Sequence, residues 1–252
     1  MNKRLLIVGG TGFIGSHLVD EALKKNFIVF VIYRRNRDIK NLKKNVRYLQ
    51  CDLFNKKKLR DLINKKKFQY VINAAGYIDH VEVNDIISSH LIGVHNLISI
   101  LNENKYIKKF IQLSTSDVYA ASEVKKKENS PIKPNSIYSY SKLSTEIFLE
   151  TLFSLHNFPF VCYRIFLCYG SNQKNDRLIP YIISSALAKK QINILHPSQE
   201  RDFIHIDEIS KVIISSLTKR NLEGKIINLA SGKGTKISTI VKLICNYIGY
   251  HE

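Results

Sequence analysis

The chain reads as an α/β protein, a doubly wound parallel sheet carrying a small C-terminal lobe. Three observations predict this. Short apolar runs alternate with amphipathic stretches of helical period through the first 170 residues. A glycine cluster follows the first apolar run directly. The length of 252 residues allows a large core with room for a second unit. Strands separated by helices imply parallel βαβ units with right-handed crossovers.

Each element has its own signal. Arg4 to Val8 is a buried strand, and Phe13 to Lys25 a helix with Ile14, Leu18 and Ala22 on one face. Phe27 to Tyr33 and Val46 to Gln50 are the second and third strands. A lysine-rich helix closes over Leu59 to Lys66, and Tyr70 to Asn73 is a short fourth strand. Val83 to Asn104 reads as one long helix, Lys109 to Leu113 as the fifth strand. Ala121 to Ser136, polar and holding Pro131 and Pro134, reads as an exposed loop. Ile137 to His156 is a second long helix, and Phe160 to Leu167 the sixth strand. Beyond 170 the pattern loosens. Helices are expected at Leu178 to Ala188, Asp207 to Leu217 and Ile237 to Ile248, with strands at Ile192 to Leu195 and Lys225 to Leu229. The expected domains are therefore residues 1–170 and a lobe at 171–252.

Composition excludes several classes. Hydrophobic residues make up 44% and aromatics 10%, too many for a disordered chain. No apolar run reaches the ~18 residues of a membrane span, and the N-terminal apolar run is too short for a secretion signal. A cytoplasmic protein with no membrane partner is expected. Cys51, Cys162, Cys168 and Cys245 make no CxxC pair, so free thiols and no metal site are expected. The net charge of +18 invites a nucleic-acid reading. The lysines, however, fall in short scattered runs (Lys56–Lys58, Lys65–Lys67, Lys125–Lys127), which reads as solvated surface that also steers small anions. Nucleic acid is not the expected partner.

Gly9, Gly12 and Gly15 stand between the first strand and the first helix. One glycine permits the tight turn, one lets backbone approach a pyrophosphate, and one allows helix–strand packing, while the helix N-terminus offers N–H donors. This is a Rossmann dinucleotide loop, with Phe13 and Ile14 in it, and Leu53, Ala74 and Ala75 counted with it as cofactor-binding. After the second strand an acidic residue would bind the ribose hydroxyls of NAD; here Tyr33, Arg34 and Arg35 follow. Arg34 suits a 2′-phosphate, so NADP(H) is favoured and NAD(H) is the alternative. Asp52 reads either as a partner of the adenine amino group or as a turn residue.

Tyr138 and Lys142 are four apart on a helix and share a face. A lysine ammonium beside a phenol favours the phenolate, so the tyrosine can exchange a proton while the cofactor exchanges a hydride. Ser114, Thr115, Ser116 and Asp117 end the fifth strand, at the carboxyl edge where such sheets bind ligands.

With these residues together, the sequence resembles the extended short-chain dehydrogenase/reductases, and within them the nucleotide-sugar epimerase/dehydratase family. The resemblance rests on GGTGFIG at 9–15, STSDVY at 114–119, YSYSKLSTE at 138–146 and RDFIHIDE at 201–208, in that order. It implies Tyr138 as general acid/base, Lys142 as its ribose-binding partner and Thr115 as the catalytic hydroxyl. It implies Ser116 and Asp117 as substrate-binding, and Arg201 on the diphosphate of a nucleotide sugar; an ion pair of Arg201 with Asp202 or Asp207 is the alternative. It also makes a homodimer through the two long helices plausible. Where the family often has Asn, this chain has His90 and Leu167. The lobe is also short beside that family. A 4,6-dehydratase commonly carries an acid pair beside the catalytic hydroxyl, and here Ser116 precedes the single Asp117. The expected activity is reduction of a nucleotide 4-keto sugar by NADPH, with Tyr138 as proton donor. The alternatives are an NAD-dependent 4-epimerase, then a 4,6-dehydratase, then a non-catalytic NADP- or RNA-binding relative.

Overall fold

The computed structural model describes residues 3–34, 42–76, 82–121 and 125–250. Arg35 and residues 122–124 of the expected 121–136 loop lie outside them. The elements in order are β1 (Arg4–Val8), α1 (Phe13–Lys24), β2 (Ile28–Tyr33), β3 (Val46–Gln50), α2 (Lys56–Lys66) and β4 (Tyr70–Asn73). Then come α3 (Val83–Ile87), a π-helical segment (Ser88–Ile92), α4 (Gly93–Asn102), β5 (Lys109–Thr115), a 3-10 turn (Ser116–Val118) and α5 (Ile137–His156). β6 (Phe160–Ile165), β7 (Leu167–Tyr169), α6 (Leu178–Leu187), β8 (Glu200–His205), α7 (Ile206–Ser216), β9 (Lys225–Leu229), β10 (Gly234–Lys236) and α8 (Ile237–Ile248) complete the chain.

The chain forms two compact units. The first holds residues 1–165 and 210–228, the second 166–209 and 229–252. The first unit runs to Ile165, and the chain returns to it at Ser210.

The main sheet has seven strands in the order β3-β2-β1-β4-β5-β6-β9, and the pairings from β3 through β6 are parallel. The order reverses between β1 and β4, which opens a crevice at their carboxyl ends. The doubly wound expectation is met. One face of the sheet buries Leu6, Val8, Phe30, Val71, Phe110 and Phe160 under Leu59 and Ile63 of α2, Leu97 and Leu101 of α4 and Leu149 of α5. Val19 of α1 approaches Val31 of β2 beside Gly10. Strands buried on both faces read as continuous apolar runs, which is why these were legible in the sequence.

Three features differ from expectation. Val83 to Asn104 is not one α-helix: the π segment adds a residue to one turn at Ser88–Ile92. The strand expected after Leu178–Leu187 is absent, because 192–195 takes no regular structure. The second unit instead builds a three-stranded sheet, β10-β8-β7, with β8 antiparallel to β10 and parallel to β7. Strands of three residues carry too little alternation to be read from sequence.

Candidate active site

The glycine loop turns at Gly9, whose φ of +78° suits only glycine without strain. A Cβ on Gly9 would lie 2.7 Å from Ala75 Cα, and one on Gly15 would lie 2.1 Å from the Gly9 carbonyl oxygen. Both positions are therefore demanded by packing: loop on loop, and helix on loop. Gly12 differs. It caps α1 and is exposed, and a Cβ there would meet only the Gly9 oxygen, at 3.4 Å. The chain itself does not require glycine at 12, whereas close approach of a pyrophosphate to the backbone would. On this observation the loop fits a dinucleotide. Phe13 and Ile14 open α1, both half-buried.

The neighbouring cofactor candidates lie on the same carboxyl edge. Ala74 N donates to the Val8 carbonyl at 2.9 Å, and Ala75 N to Asn73 Oδ1 at 3.2 Å. Asp52 Oδ1 accepts Phe54 N at 3.0 Å, the geometry of its turn reading. Leu53 packs on Gly93, and its carbonyl accepts Asn96 Nδ2 at 3.1 Å. Arg34 follows β2 with its side chain exposed.

Tyr138 and Lys142 lie in the first turns of α5, where Ser136 and Ser139 form a reciprocal capping box. Lys142 is buried, and its Nζ lies 5.7 Å from the centre of the Tyr138 ring and donates to the Leu113 carbonyl at 3.1 Å. Burial pushes the Lys142 amine down to about 8; Cys162 and Glu146 act in the opposite direction without offsetting it. The His90 ring, buried in the π segment, meets the Tyr138 ring edge-on at 5.3 Å. π-bulges recur at functional sites, and here the extra residue sits against the phenol.

Thr115 ends β5, and its Oγ1 caps the 3-10 turn by accepting Asp117 N at 3.2 Å. The Ser114 hydroxyl is taken by Glu146, and side chains alternate along a strand, so Thr115 rather than Ser114 faces away from that carboxylate. Ser116 is half-buried and Asp117 exposed. Arg201 lies on β8 in the second unit with its guanidinium exposed. Asp202 beside it is engaged by Ser231 N and Gly232 N, each at 2.7 Å.

Sequence reading missed the polar network beneath these residues. Asn73 Nδ2 donates to Gln112 Oε1 at 2.9 Å, and Gln112 Nε2 donates to the Leu113 carbonyl at 2.9 Å, the same oxygen that receives Lys142. A continuous chain of hydrogen bonds thus runs from the Ala75 turn against Gly9 to the Lys142 amine. Arg164 and Glu146 form a buried ion pair below it. The signal was present: a lone arginine inside the apolar run VCYRIF must find a partner. Among the described residues no cluster of His, Cys, Asp and Glu could hold a metal ion, and no helix is long and apolar enough to cross a membrane. The four cysteines are free thiols.

A doubly wound sheet with a glycine loop at its switch point and a Tyr–Lys pair on the next carboxyl edge defines a dinucleotide-dependent enzyme of the short-chain dehydrogenase/reductase type. The chain belongs to the NAD dependent epimerase/dehydratase family, whose model matches residues 5–230. It is 27% identical to human dTDP-D-glucose 4,6-dehydratase over 264 residues, spanning 98% of this chain and 74% of that protein. A solved UDP-N-acetylglucosamine 4-epimerase from Methanobrevibacter ruminantium, in complex with UDP-N-acetylmuramic acid, superposes with a TM-score of 0.89 at 27% identity, over 98% of this chain and 83% of that one. A UDP-glucuronic acid 4-epimerase from Bacillus cereus, in complex with UDP-glucuronic acid and NAD, gives the same TM-score at 24% identity, over 98% and 84% of the two chains.

Proposed function

We propose that this chain is a nucleotide-sugar 4-epimerase using NAD(H). The observation that carries the reading is the acid inventory beside the Tyr–Lys pair. Asp117 follows Ser116 and is exposed, so the paired acids that expulsion of a sugar hydroxyl calls for are missing, while the proton-exchange machinery is complete. Relatives that are epimerases and dehydratases weigh against the 4-keto reductase expected from Arg34. NAD bound to a solved neighbour likewise weighs against the NADP(H) preference.

Gly9, Gly12, Gly15 and the N–H groups opening α1 would hold the pyrophosphate, with Ala74 and Ala75 alongside. When bound, the dinucleotide supplies a hydride acceptor that can give the hydride back. The rest falls to this chain's side chains. Tyr138 would take the proton of the sugar 4-hydroxyl on its phenol oxygen and later give it back to the same sugar oxygen. Lys142 stabilises the phenolate, and Thr115 donates a hydrogen bond to the same sugar oxygen. Ser116 and Asp117 contact the sugar, and Arg201 holds the diphosphate with its planar donor fork. A homodimer belongs to the same proposal; the outer side of α5 leaves Tyr140, Ile147 and Leu155 exposed, and gel filtration with light scattering tests it.

The test is to denature the purified protein, identify any released dinucleotide, and titrate the protein with NADH and NADPH. Stoichiometric NAD and interconversion of UDP-hexose C4 epimers are expected, with turnover lowered about 10²–10⁴-fold in Tyr138→Phe. An empty protein that prefers NADPH, the preference vanishing in Arg34→Ala, returns the 4-keto reductase. A 4-keto-6-deoxy product from a nucleotide glucose returns the dehydratase.

A further inference from the structure

Glu146 lies one helical turn beyond Lys142 on the inner face of α5 and is fully buried. Arg164 Nε reaches its two carboxylate oxygens at 3.2 and 3.1 Å, and Nη2 reaches Oε2 at 2.6 Å. The Ser114 hydroxyl donates to Oε1. Arg164 is itself 3% exposed, and its Nη1 donates to the Tyr119 hydroxyl at 2.9 Å and the Glu128 carbonyl at 3.2 Å. Ser114 and Arg164 are direct partners in the β5–β6 register. A buried ion pair stabilises a fold little more than apolar side chains of the same size would. Its place, under the helix that carries the Tyr–Lys pair and against the residue before Thr115, points to another use.

We propose that Glu146, locked by Arg164, is the positioning residue of this site: it supplies the countercharge beneath Lys142 and, through Ser114, fixes the end of β5 that carries Thr115. The proposal rests on reading Tyr138 and Lys142 as the catalytic pair. The groups facing the two ions come from three elements. Lys142 faces the Leu113 carbonyl of β5, the Tyr138 ring, Cys162 of β6 and Glu146. Glu146 faces Arg164, Ser114 and, on its own helix, Lys142 and Glu150. His90 of the π segment covers Tyr138 from the other side. Burial lowers the Lys142 amine to about 8, with Cys162 and Glu146 opposing the fall. Removing the carboxylate takes away the countercharge and leaves Arg164 without its anion. Both changes drive Lys142 further toward the neutral amine.

The experiment is a lysine side-chain NMR titration of the whole protein, with Lys142 assigned as the resonance missing in Lys142→Met. Glu146→Gln is expected to move that titration about one pH unit lower. The alkaline limb of the kcat profile should move with it, while KM for the nucleotide sugar changes less than twofold. Glu146→Asp, which keeps the charge, restores most of the shift. Should Glu146→Gln not fold, Glu146→Gln/Arg164→Met removes the guanidinium left without its anion; only the loss of the countercharge then acts on Lys142, and a smaller shift in the same direction is expected. A Lys142 titration that stays in place in both variants, with kcat lowered equally at every pH, overturns the proposal and makes the pair a packing device. If the titration moves as expected but Tyr138→Phe keeps full turnover, the catalytic reading fails and the countercharge role stands.

Discussion

A buried lysine stands near each end of β5, and the two are held differently. Lys109, the first residue of the strand, is 1% exposed. Its Nζ donates to the Ser216 carbonyl at 3.1 Å and to the Lys219 carbonyl, and pairs with Glu223 at 3.0 Å. An ammonium has three N–H donors, and all three are used. Lys142, 7% exposed, reaches the other end of the strand and has one hydrogen-bond acceptor there, the Leu113 carbonyl. Its remaining donors lie beside a phenol ring. The same residue type is thus a rivet at the amino edge of the sheet and, under the proposed function, a reagent at the carboxyl edge. The number of acceptors decides which.

Exchanging each lysine for methionine should separate the roles. Lys142→Met is expected to lower turnover about 10²–10⁴-fold. Lys109→Met should leave turnover per folded molecule unchanged but cost about 2–4 kcal/mol, because two buried carbonyls and a carboxylate lose their partner. Steady-state kinetics beside urea unfolding reads both. If Lys109→Met proved as stable as the parent, the rivet would be no rivet.

A pH series sharpens the contrast. The Lys142 amine titrates near 8 in the folded chain against 10.5 for the ordinary amine. Between those values the unfolded chain binds more protons, so stability rises with pH across that window. The full rise is about 3 kcal/mol. Below pH 8 both states are protonated, and the folded state carries the whole penalty of the buried charge. Lys142→Met should therefore be more stable than the parent at pH 7, by about 1–3 kcal/mol, and lose the alkaline rise. Calorimetry from pH 7 to 10 checks this, and a parent with no rise would deny that Lys142 is dry.

The smallest effect divides two glycines of one loop. Gly15→Ala drives a Cβ into the Gly9 carbonyl and should cost about 1–3 kcal/mol. Gly12→Ala meets the same oxygen only at 3.4 Å, an ordinary contact, and should stay within about 0.5 kcal/mol of the parent, while dinucleotide affinity falls. Equal unfolding midpoints for the two variants would erase the distinction.

What was legible in the sequence follows the same division. β1, β2, β4 and β6 announced themselves because strands covered on both faces need apolar runs, whereas the edge strand β3 shows only a mixed, half-buried pattern. Tyr138, Lys142, Thr115 and the glycines could be proposed from the sequence because each stands in a short local pattern. Glu146 and Arg164 could not be paired by spacing: 18 residues separate them, on a helix and a strand. β8 is hard to read because its first three residues, Glu200, Arg201 and Asp202, break the apolar run, and β7 and β10 are only three residues long. The π segment left no mark on the apolar period because one added residue changes a single turn.

That added residue acts as an indexing tooth. Each residue advances an α-helix by about 100°. The extra residue is absorbed in the one widened turn at Ser88–Ile92, so deleting a position there would let that turn close as ordinary α-helix while Val83–Ile87 and Gly93–Asn102 kept their faces. Which side chain of that turn then met the Tyr138 ring would depend on which position was lost, although no side chain had been replaced. In this fold, the identity of the group facing the tyrosine is set by the length of one turn as much as by its letters, so homologous chains could change that group by insertion and deletion alone.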